Sequence, residues 1–84
     1  MKFERIKLSN HARKRMRQRN IPRGQIMRTL NEPERAYPSG DTKVAERSTE
    51  AGNVIQVIYV ERPESYPGMD AFIVSLVRRS GRVE

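Results

Sequence analysis

The chain has 84 residues, enough for one small domain with a single core and too few for two domains. It contains no cysteine and one histidine, which excludes a disulfide framework, a thiolate metal site and a histidine-rich metal site, and we expect no cofactor. Lysine and arginine number 17 against 10 acidic residues, giving a net charge of +7.

The positive charge is concentrated in the first third of the chain. Residues 1–31 hold ten basic residues and one acid, whereas residues 32–84 hold seven and nine, so the two parts carry +9 and −2. A basic block of this kind is typical of a surface that binds a polyanion, usually nucleic acid, with a merely solubilising surface as the alternative. Charges interrupt the N-terminal segment and no later stretch could span a membrane, so we expect a cytoplasmic protein without membrane contact.

Two helices are predicted after a short strand or extended lead-in over residues 2–8. Ser9 offers a hydroxyl that can cap a helix N-terminus. The first helix is expected over about 9–19 and ends at Asn20, a residue type that tolerates left-handed backbone. The second helix is expected over about 22–31 and carries apolar residues at helical spacing. These apolar residues are Ile26, Met27 and Leu30.

From Arg35 onward the pattern alternates, which predicts strands. The main strands are expected over about 43–49, 53–61 and 70–79, and a short extended piece at Ala36–Tyr37 could add an edge. Because short connections join consecutive strands antiparallel, the predicted fold is α+β, with two N-terminal helices packed on a three- to four-stranded antiparallel sheet in one domain over residues 1–84. Residues 80–84 are expected to form a loose tail.

The two longest predicted strands are apolar on both faces. In the strand over 53–61, Val54, Ile58 and Val60 alternate with Ile55, Val57 and Tyr59. Two short helices cover only one face, so the other should be buried by the N-terminal segment, by a second copy of the chain or by a partner protein. We therefore expect a homodimer through the open sheet face or a bound partner.

His11, Arg15 and Arg19 share one side of the first predicted helix, because residues four and eight apart are neighbours around a helix. An imidazole beside two guanidinium groups can transfer protons and bind a phosphate. The apolar stripe next to them consists of Leu8, Ala12 and Met16. The other polar side chains of the two helices form the predicted nucleic-acid-binding set, which comprises Arg13, Lys14, Arg17, the uncharged Gln18, Arg23 and Arg28.

A structural role is the alternative for His11, Arg15 and Arg19. A histidine near a helix start often fixes the helix to a sheet by a backbone hydrogen bond, and arginines beside an apolar stripe often pair with acids. The candidate acids are Glu46, Glu50 and Glu61.

The segment Leu8–Pro22 resembles the opening of a bacterial family known as domain of unknown function 4258, whose pattern is roughly Ser-x-His-Ala-x-x-Arg-Met-x-x-Arg-x-Ile. That pattern falls on Ser9, His11, Ala12, Arg15, Met16, Arg19 and Ile21. Residues 30–34 and the strands around 57–60 and 72–77 also resemble the family, so the resemblance covers nearly the whole chain. The family is similar in layout to the small ribonuclease toxins of the RelE and BrnT type.

The resemblance implies an RNA-directed, toxin-like domain with RNA as its target and an acidic antitoxin protein as a partner. His11, Arg15 and Arg19 are the positions that match. Many such toxins use residues that follow the last long strand, and this chain offers only Arg78, Arg79 and Arg82 there.

Metal-independent RNA cleavage needs a base for the 2′-hydroxyl, an acid for the leaving 5′-oxygen and positive charge on the phosphate. His11 is the candidate acid or base and Arg15 and Arg19 are the candidate phosphate clamp, while Tyr59 or Glu61 is the candidate second proton-transfer group. The alternative function is a non-catalytic module that binds nucleic acid or a partner protein. A DNA-reading helix-turn-helix ranks third, since the second helix offers few side chains for base contacts.

Overall fold

Two helices follow a short first strand, and four further strands complete the fold in the computed structural model, which describes residues 2–83. The helices are α1 (Asn10–Gln18) and α2 (Arg23–Asn31). The strands are β1 (Ile6–Leu8), β2 (Arg35–Ser39), β3 (Thr42–Ser48), β4 (Asn53–Glu61) and β5 (Ala71–Ser80). Within residues 2–83 no helix is long and apolar enough to cross a bilayer.

The α+β class is confirmed. The predicted sheet was wrong in its number of strands, which is five and not three or four, and in being wholly antiparallel. The five strands form one mixed sheet in the order β1-β5-β4-β3-β2. The piece expected at Ala36–Tyr37 is a complete edge strand that pairs with β3, and β1 pairs parallel with β5 at the opposite edge. Ile6 lies opposite Ala71, a pairing across 65 residues that the local pattern of three residues does not specify.

Both helices pack on one face of the sheet, and the main core lies between them and that face. α1 contacts β1 and β5, whereas α2 contacts β3 and β4. Ala12 of α1 and Ile26 of α2 are fully buried there. The sheet contributes alternate residues of its central strands, with one extra residue between Ile73 and Leu76 where the register of β5 shifts. These residues are Ala45, Ile55, Val57, Tyr59, Ala71, Ile73 and Leu76.

The N-terminal segment is held on this same side of the sheet. Phe3 packs edge-to-face on Tyr59 with 5.6 Å between ring centroids. The backbone N–H of Phe3 donates to the side-chain oxygen of Asn31 at 2.6 Å, and the Asn31 amide donates to the Phe3 carbonyl at 3.0 Å. The N-terminal segment therefore does not cover the opposite face of the sheet. Burial of that face by this segment was one of the three possibilities that the sequence left open.

Asp70 holds the chain just before β1. Its carboxylate accepts the backbone N–H groups of Glu4 and Arg5 at 2.7 and 2.8 Å. The hydrogen bond from Arg5, followed by that from Glu4, keeps the pKa of Asp70 below its ordinary value. These contacts fix β1 as an edge strand.

The predicted loose tail was wrong for the residues that the structure describes. Ser80 is the last residue of β5 and pairs with Asn53. Beyond it, the Gly81 N–H donates to the Gly52 carbonyl and the Val83 N–H to the Ser48 hydroxyl, both at 2.9 Å. The segment after β5 is therefore tied to the β3–β4 hairpin, and residue 84 lies outside the described residues.

Candidate nucleic-acid interface

Ser9 fixes the start of α1 and joins it to β5. Its hydroxyl accepts the N–H of Ala12 at 3.0 Å and donates to the carbonyl of Val74 at 2.8 Å, while its backbone N–H donates to the Ile73 carbonyl at 2.9 Å. Val74 has no partner in β4, because the register shifts between Ile73 and Ser75. This irregularity in β5 lies where the cap residue of α1 binds.

Arg78 fixes the other end of α1. Its guanidinium donates to the carbonyls of Arg19 and Asn20 at 2.9 and 3.2 Å. Asn20 has the left-handed conformation expected from its residue type, with φ 52°. Since both ends of α1 are bonded to β5, the directions in which its side chains project are set by the fold.

The side of α1 that carries His11, Arg15 and Arg19 faces away from the core. His11 is exposed in the first turn, Arg15 is half-buried beside Met16, and Arg19 is exposed at the C-cap. None of these three side chains has a hydrogen bond or ion pair within residues 2–83. Of the acids that the structural alternative offered to the arginines, Glu61 pairs with Lys43, Glu46 pairs with Arg79, and Glu50 forms no ion pair with Arg15 or Arg19 within residues 2–83. The half-buried position of Arg15 is the part of that alternative that the structure retains.

The rest of the predicted nucleic-acid-binding set is exposed as well. Arg13, Lys14, Arg17, Gln18, Arg23 and Arg28 all lie on the surface. Neither α1 nor α2 contains an acidic residue, so neither helix carries a carboxylate of its own to neutralise these charges. The two helices consequently present a dense positive surface.

The structure places Tyr59 and Glu61 apart from the exposed side of α1. Tyr59 is only 6% exposed and its ring packs on Phe3 within the core. Burial, together with the charge of Glu61, raises the pKa of the Tyr59 hydroxyl. Glu61 binds Lys43 at 3.1 Å. Neither residue is brought together with His11.

A polar cluster on the opposite face of the sheet was not predicted as a site. Glu46 is buried there, and its Oε2 atom accepts Nε2 of Gln56 at 2.7 Å and Nη2 of Arg79 at 3.1 Å. Nε2 of Gln56 also lies 3.4 Å from the Tyr37 hydroxyl, and the Arg35 guanidinium lies 4.9 Å from the centroid of the Tyr37 ring. We call these five residues the polar cluster.

A signal for the polar cluster exists in the sequence. Glu46 follows Val44 on one face of the predicted strand over 43–49, and a charged residue that is buried at such a position needs polar partners on neighbouring strands. The partners cannot be identified without the register, which pairs Glu46 with Gln56 and with Arg35.

A family model described as Domain of unknown function (DUF4258) matches residues 8–78, which is most of the chain. The chain belongs to the DUF4258 family. No curated protein and no solved structure matches it significantly.

The fold of this DUF4258 protein accounts for only some residues of its opening segment. Ser9 caps α1 and Ala12 is fully buried beneath it. Met16 packs against the core and Ile21 is buried. His11, Arg15 and Arg19 of the same segment have no polar partner in the described part of the chain.

A groove of about 420 Å³ lies between α2 and the β3–β4 hairpin. Gln25, Arg28, Arg47 and Thr49 are among its lining residues, and the buried Oε1 atom of Gln25 accepts no hydrogen bond from residues 2–83. The groove borders the basic surface of α2, because Arg28 belongs to both.

No three histidine, aspartate or glutamate side chains come close enough to hold a metal ion in the described range 2–83.

Proposed function

We propose that this DUF4258 protein is a toxin-like domain that acts on RNA in the cytoplasm, and that α1 is the surface that binds it. The observation that carries the proposal is the unneutralised charge of α1. Five basic residues lie between Arg13 and Arg19, no acid lies among them, and their side chains have no carboxylate partner in the described part of the chain. Such a surface attracts a phosphate backbone and displaces its condensed counterions.

The position of α2 favours RNA over a DNA-reading helix-turn-helix. A recognition helix must project several side chains into the major groove. α2 packs Ile26, Thr29 and Leu30 against the sheet, and Arg23 and Arg28 are its two exposed long polar side chains. Its exposed polar residues therefore supplement α1 and do not form a separate reading surface.

We further propose that bound RNA is cleaved without a metal, with His11 as acid or base and Arg15 and Arg19 holding the phosphate. In such cleavage the 2′-oxygen attacks phosphorus, the bond to the 5′-oxygen breaks, and a 2′,3′-cyclic phosphate and a 5′-hydroxyl result. His11 would accept the 2′ proton or donate one to the leaving oxygen. The exposed, unpartnered position of His11 supports this role.

A non-catalytic function is the second candidate, and the same basic surface favours it. A domain that binds RNA, or an acidic antitoxin protein, needs the positive charge of α1 and no proton-transfer group. An antitoxin of this kind would compete with RNA for α1. The layout of RelE- and BrnT-type toxins, which the sequence resemblance implies for this family, supports the catalytic proposal by analogy alone.

Binding of a single-stranded RNA at increasing salt concentration tests the proposed surface. A variant with Arg13→Gln, Lys14→Gln and Arg17→Gln should reduce the slope of log affinity against log salt by about 2, since each phosphate contact on a single strand contributes about 0.7. The control removes three charges elsewhere, by Lys2→Gln, Arg5→Gln and Lys43→Gln, and should bind like the unmodified protein. Equal slopes for all three proteins, or no RNA binding, would contradict the proposal.

A further inference from the structure

Glu46 is the one charged residue that is buried within residues 2–83, with 2% of its surface exposed. It lies on the sheet face opposite the helices, because its neighbours Ala45 and Arg47 point to the helix side, where Arg47 donates to the Glu32 carbonyl. Gln56 and Arg79 bind its Oε2 atom at 2.7 and 3.1 Å. A carboxylate is thus enclosed by polar side chains on a face that no helix covers.

Packing does not require a carboxylate at this position. The adjacent residues on the same face include Val44, Val54 and Ile58, among which an apolar side chain would fit. A buried ion pair is often no more stabilising than apolar residues of similar volume, because both ions lose their hydration. A buried charge that packing does not require is a candidate for a role in binding.

In the Glu46–Arg79 ion pair the acid is buried and the base is partly exposed. The side chain of Glu46 is 3% exposed, whereas that of Arg79 is 48% exposed. A guanidinium has five N–H donors, and only Nη2 of Arg79 contacts Glu46. The remaining donors of Arg79 are fixed in direction by Glu46 and can bind an anion.

A second guanidinium lies on the same face. Arg35 is exposed, pairs in register with Glu46 across β2 and β3, and has no ion pair in the part of the chain described. Its guanidinium is held over the Tyr37 ring, 4.9 Å from the centroid. Two arginines on either side of one buried acid leave a local excess of positive charge.

We propose that the polar cluster binds the phosphate backbone of RNA, with Arg79 and Arg35 each contacting a phosphate and Glu46 as the positioning residue for Arg79. Guanidinium groups bind phosphate oxygens through parallel N–H donors, which suits this pair. The inference rests on the proposed function, since RNA is the ligand, and it adds a second contact surface on the face opposite α1.

Charge favours RNA over a second copy of the chain at this face. In a two-fold dimer the same patch faces itself, so the excess positive charge around Arg35 and Arg79 would be brought close to an equal excess on the second copy. Lys7 also lies on this face, because it pairs with Phe72 in the register of β1 and β5. A surface that repels its own copy attracts a polyanion.

Two variants test the polar cluster through single-stranded RNA binding at several salt concentrations. The double variant Glu46→Gln/Arg79→Gln removes the ion pair without changing net charge. Arg35→Gln removes one exposed charge and leaves the Glu46 contacts in place. Lys43→Gln is the matched control, since Lys43 also forms a cross-strand ion pair at 3.1 Å with 50% of its side chain exposed, but it projects to the helix side.

In each of the two test variants the slope of log affinity against log salt should fall by about 0.7, which corresponds to about a fivefold loss of affinity at 0.1 M salt. In Lys43→Gln the slope should not change. Circular dichroism checks that each variant is folded, and Arg35→Gln keeps the test valid if the double variant unfolds. Test variants that bind like the wild type, while the α1 triple variant binds weakly, would overturn the inference and leave the proposed function standing. A wild type that binds no RNA would overturn both.

A different occupant would also overturn the inference. If the wild type is a dimer by light scattering, and the test variants are monomers with unchanged RNA affinity, the polar cluster is an interface between copies. If RNA affinity falls while the oligomeric state stays the same, the phosphate assignment is supported.

Discussion

At the scale of single residues, exposure separates the side chains of α1 that packing explains from those that it does not. Ser9, Ala12 and Met16 hold the helix to the sheet, and the sequence predicted the stripe formed by the latter two because helical spacing is a local property. The same spacing predicts that neighbouring side chains hold His11, Arg15 and Arg19 at the edge of that stripe; in the structure Arg15 is half-buried there, whereas His11 and Arg19 are exposed. Tyr59 lies in the core, a position that an apolar strand pattern alone does not distinguish from a site.

Replacing His11 tests the proposed chemistry. We expect the wild type to cleave single-stranded RNA in excess chelator and His11→Ala to lose cleavage, because the imidazole is the proposed proton-transfer group. The unfolding temperature and RNA affinity should not change, since the exposed side chain has no polar partner in the described range. Asn10→Ala, an exposed change in the same turn, is the control and should cleave normally. Cleavage by His11→Ala at the wild-type rate would contradict the assignment.

At the scale of elements, α1 is positioned by bonds at both of its ends. Ser9 joins its first turn to β5 at the carbonyl of Val74, and Arg78 joins its last turn to the same strand. The cap residue and the helix end at Asn20 could be predicted, because each depends on one residue type. The contribution of Arg78 could not, since it depends on which residues of β5 face the helices.

Removal of the cap should weaken this attachment. Ser9→Ala loses the bond to Ala12 and the bond to Val74, and we expect the free energy of unfolding to fall by about 1–2 kcal/mol. Denaturant unfolding measures this change. Ser9→Thr retains a hydroxyl and should recover most of the loss. A Ser9→Ala protein as stable as the wild type would show that the cap does not hold α1.

At the scale of the whole molecule, long-range hydrogen bonds connect the N-terminal segment to the rest of the fold. Asp70 binds two backbone N–H groups of residues 4 and 5, and Asn31 binds Phe3. The pKa of Glu34 is also lowered, mainly by the backbone N–H of Ser48. Because both carboxyl groups have a lower pKa in the folded state, their contribution to stability is present above their ordinary pKa range and is lost as pH falls through the lowered values.

Asp70→Asn should therefore change the pH dependence of stability. The variant should have a lower unfolding temperature than the wild type near pH 7, because an amide oxygen is a weaker acceptor than a carboxylate. The difference should shrink as pH falls through the lowered pKa of Asp70, where the wild type also loses its charge. Thermal unfolding followed at several pH values measures both effects, and a difference that is constant with pH would contradict this explanation.

The sequence predicted the α+β class, both helices and the basic surface because these depend on local spacing and composition. It did not predict that β1 pairs parallel with β5, nor that Glu46 and Arg79 meet, because each contact depends on register between distant segments. Neighbouring Arg78 and Arg79 show the difficulty. Arg78 binds the end of α1, and Arg79 binds Glu46 on the opposite face of the sheet. Which of the two faces the helices depends only on where the alternation of faces falls along β5.

The central claim, that α1 is the RNA-binding surface, is tested most directly by NMR. A single-stranded RNA would be titrated into ¹⁵N-labelled protein and the backbone amide shifts followed. We expect the largest changes in amide shift within Asn10–Gln18, with smaller changes in β3 and β5 around the polar cluster. Shifts absent from α1 at saturating RNA, or no shifts at all, would contradict the claim.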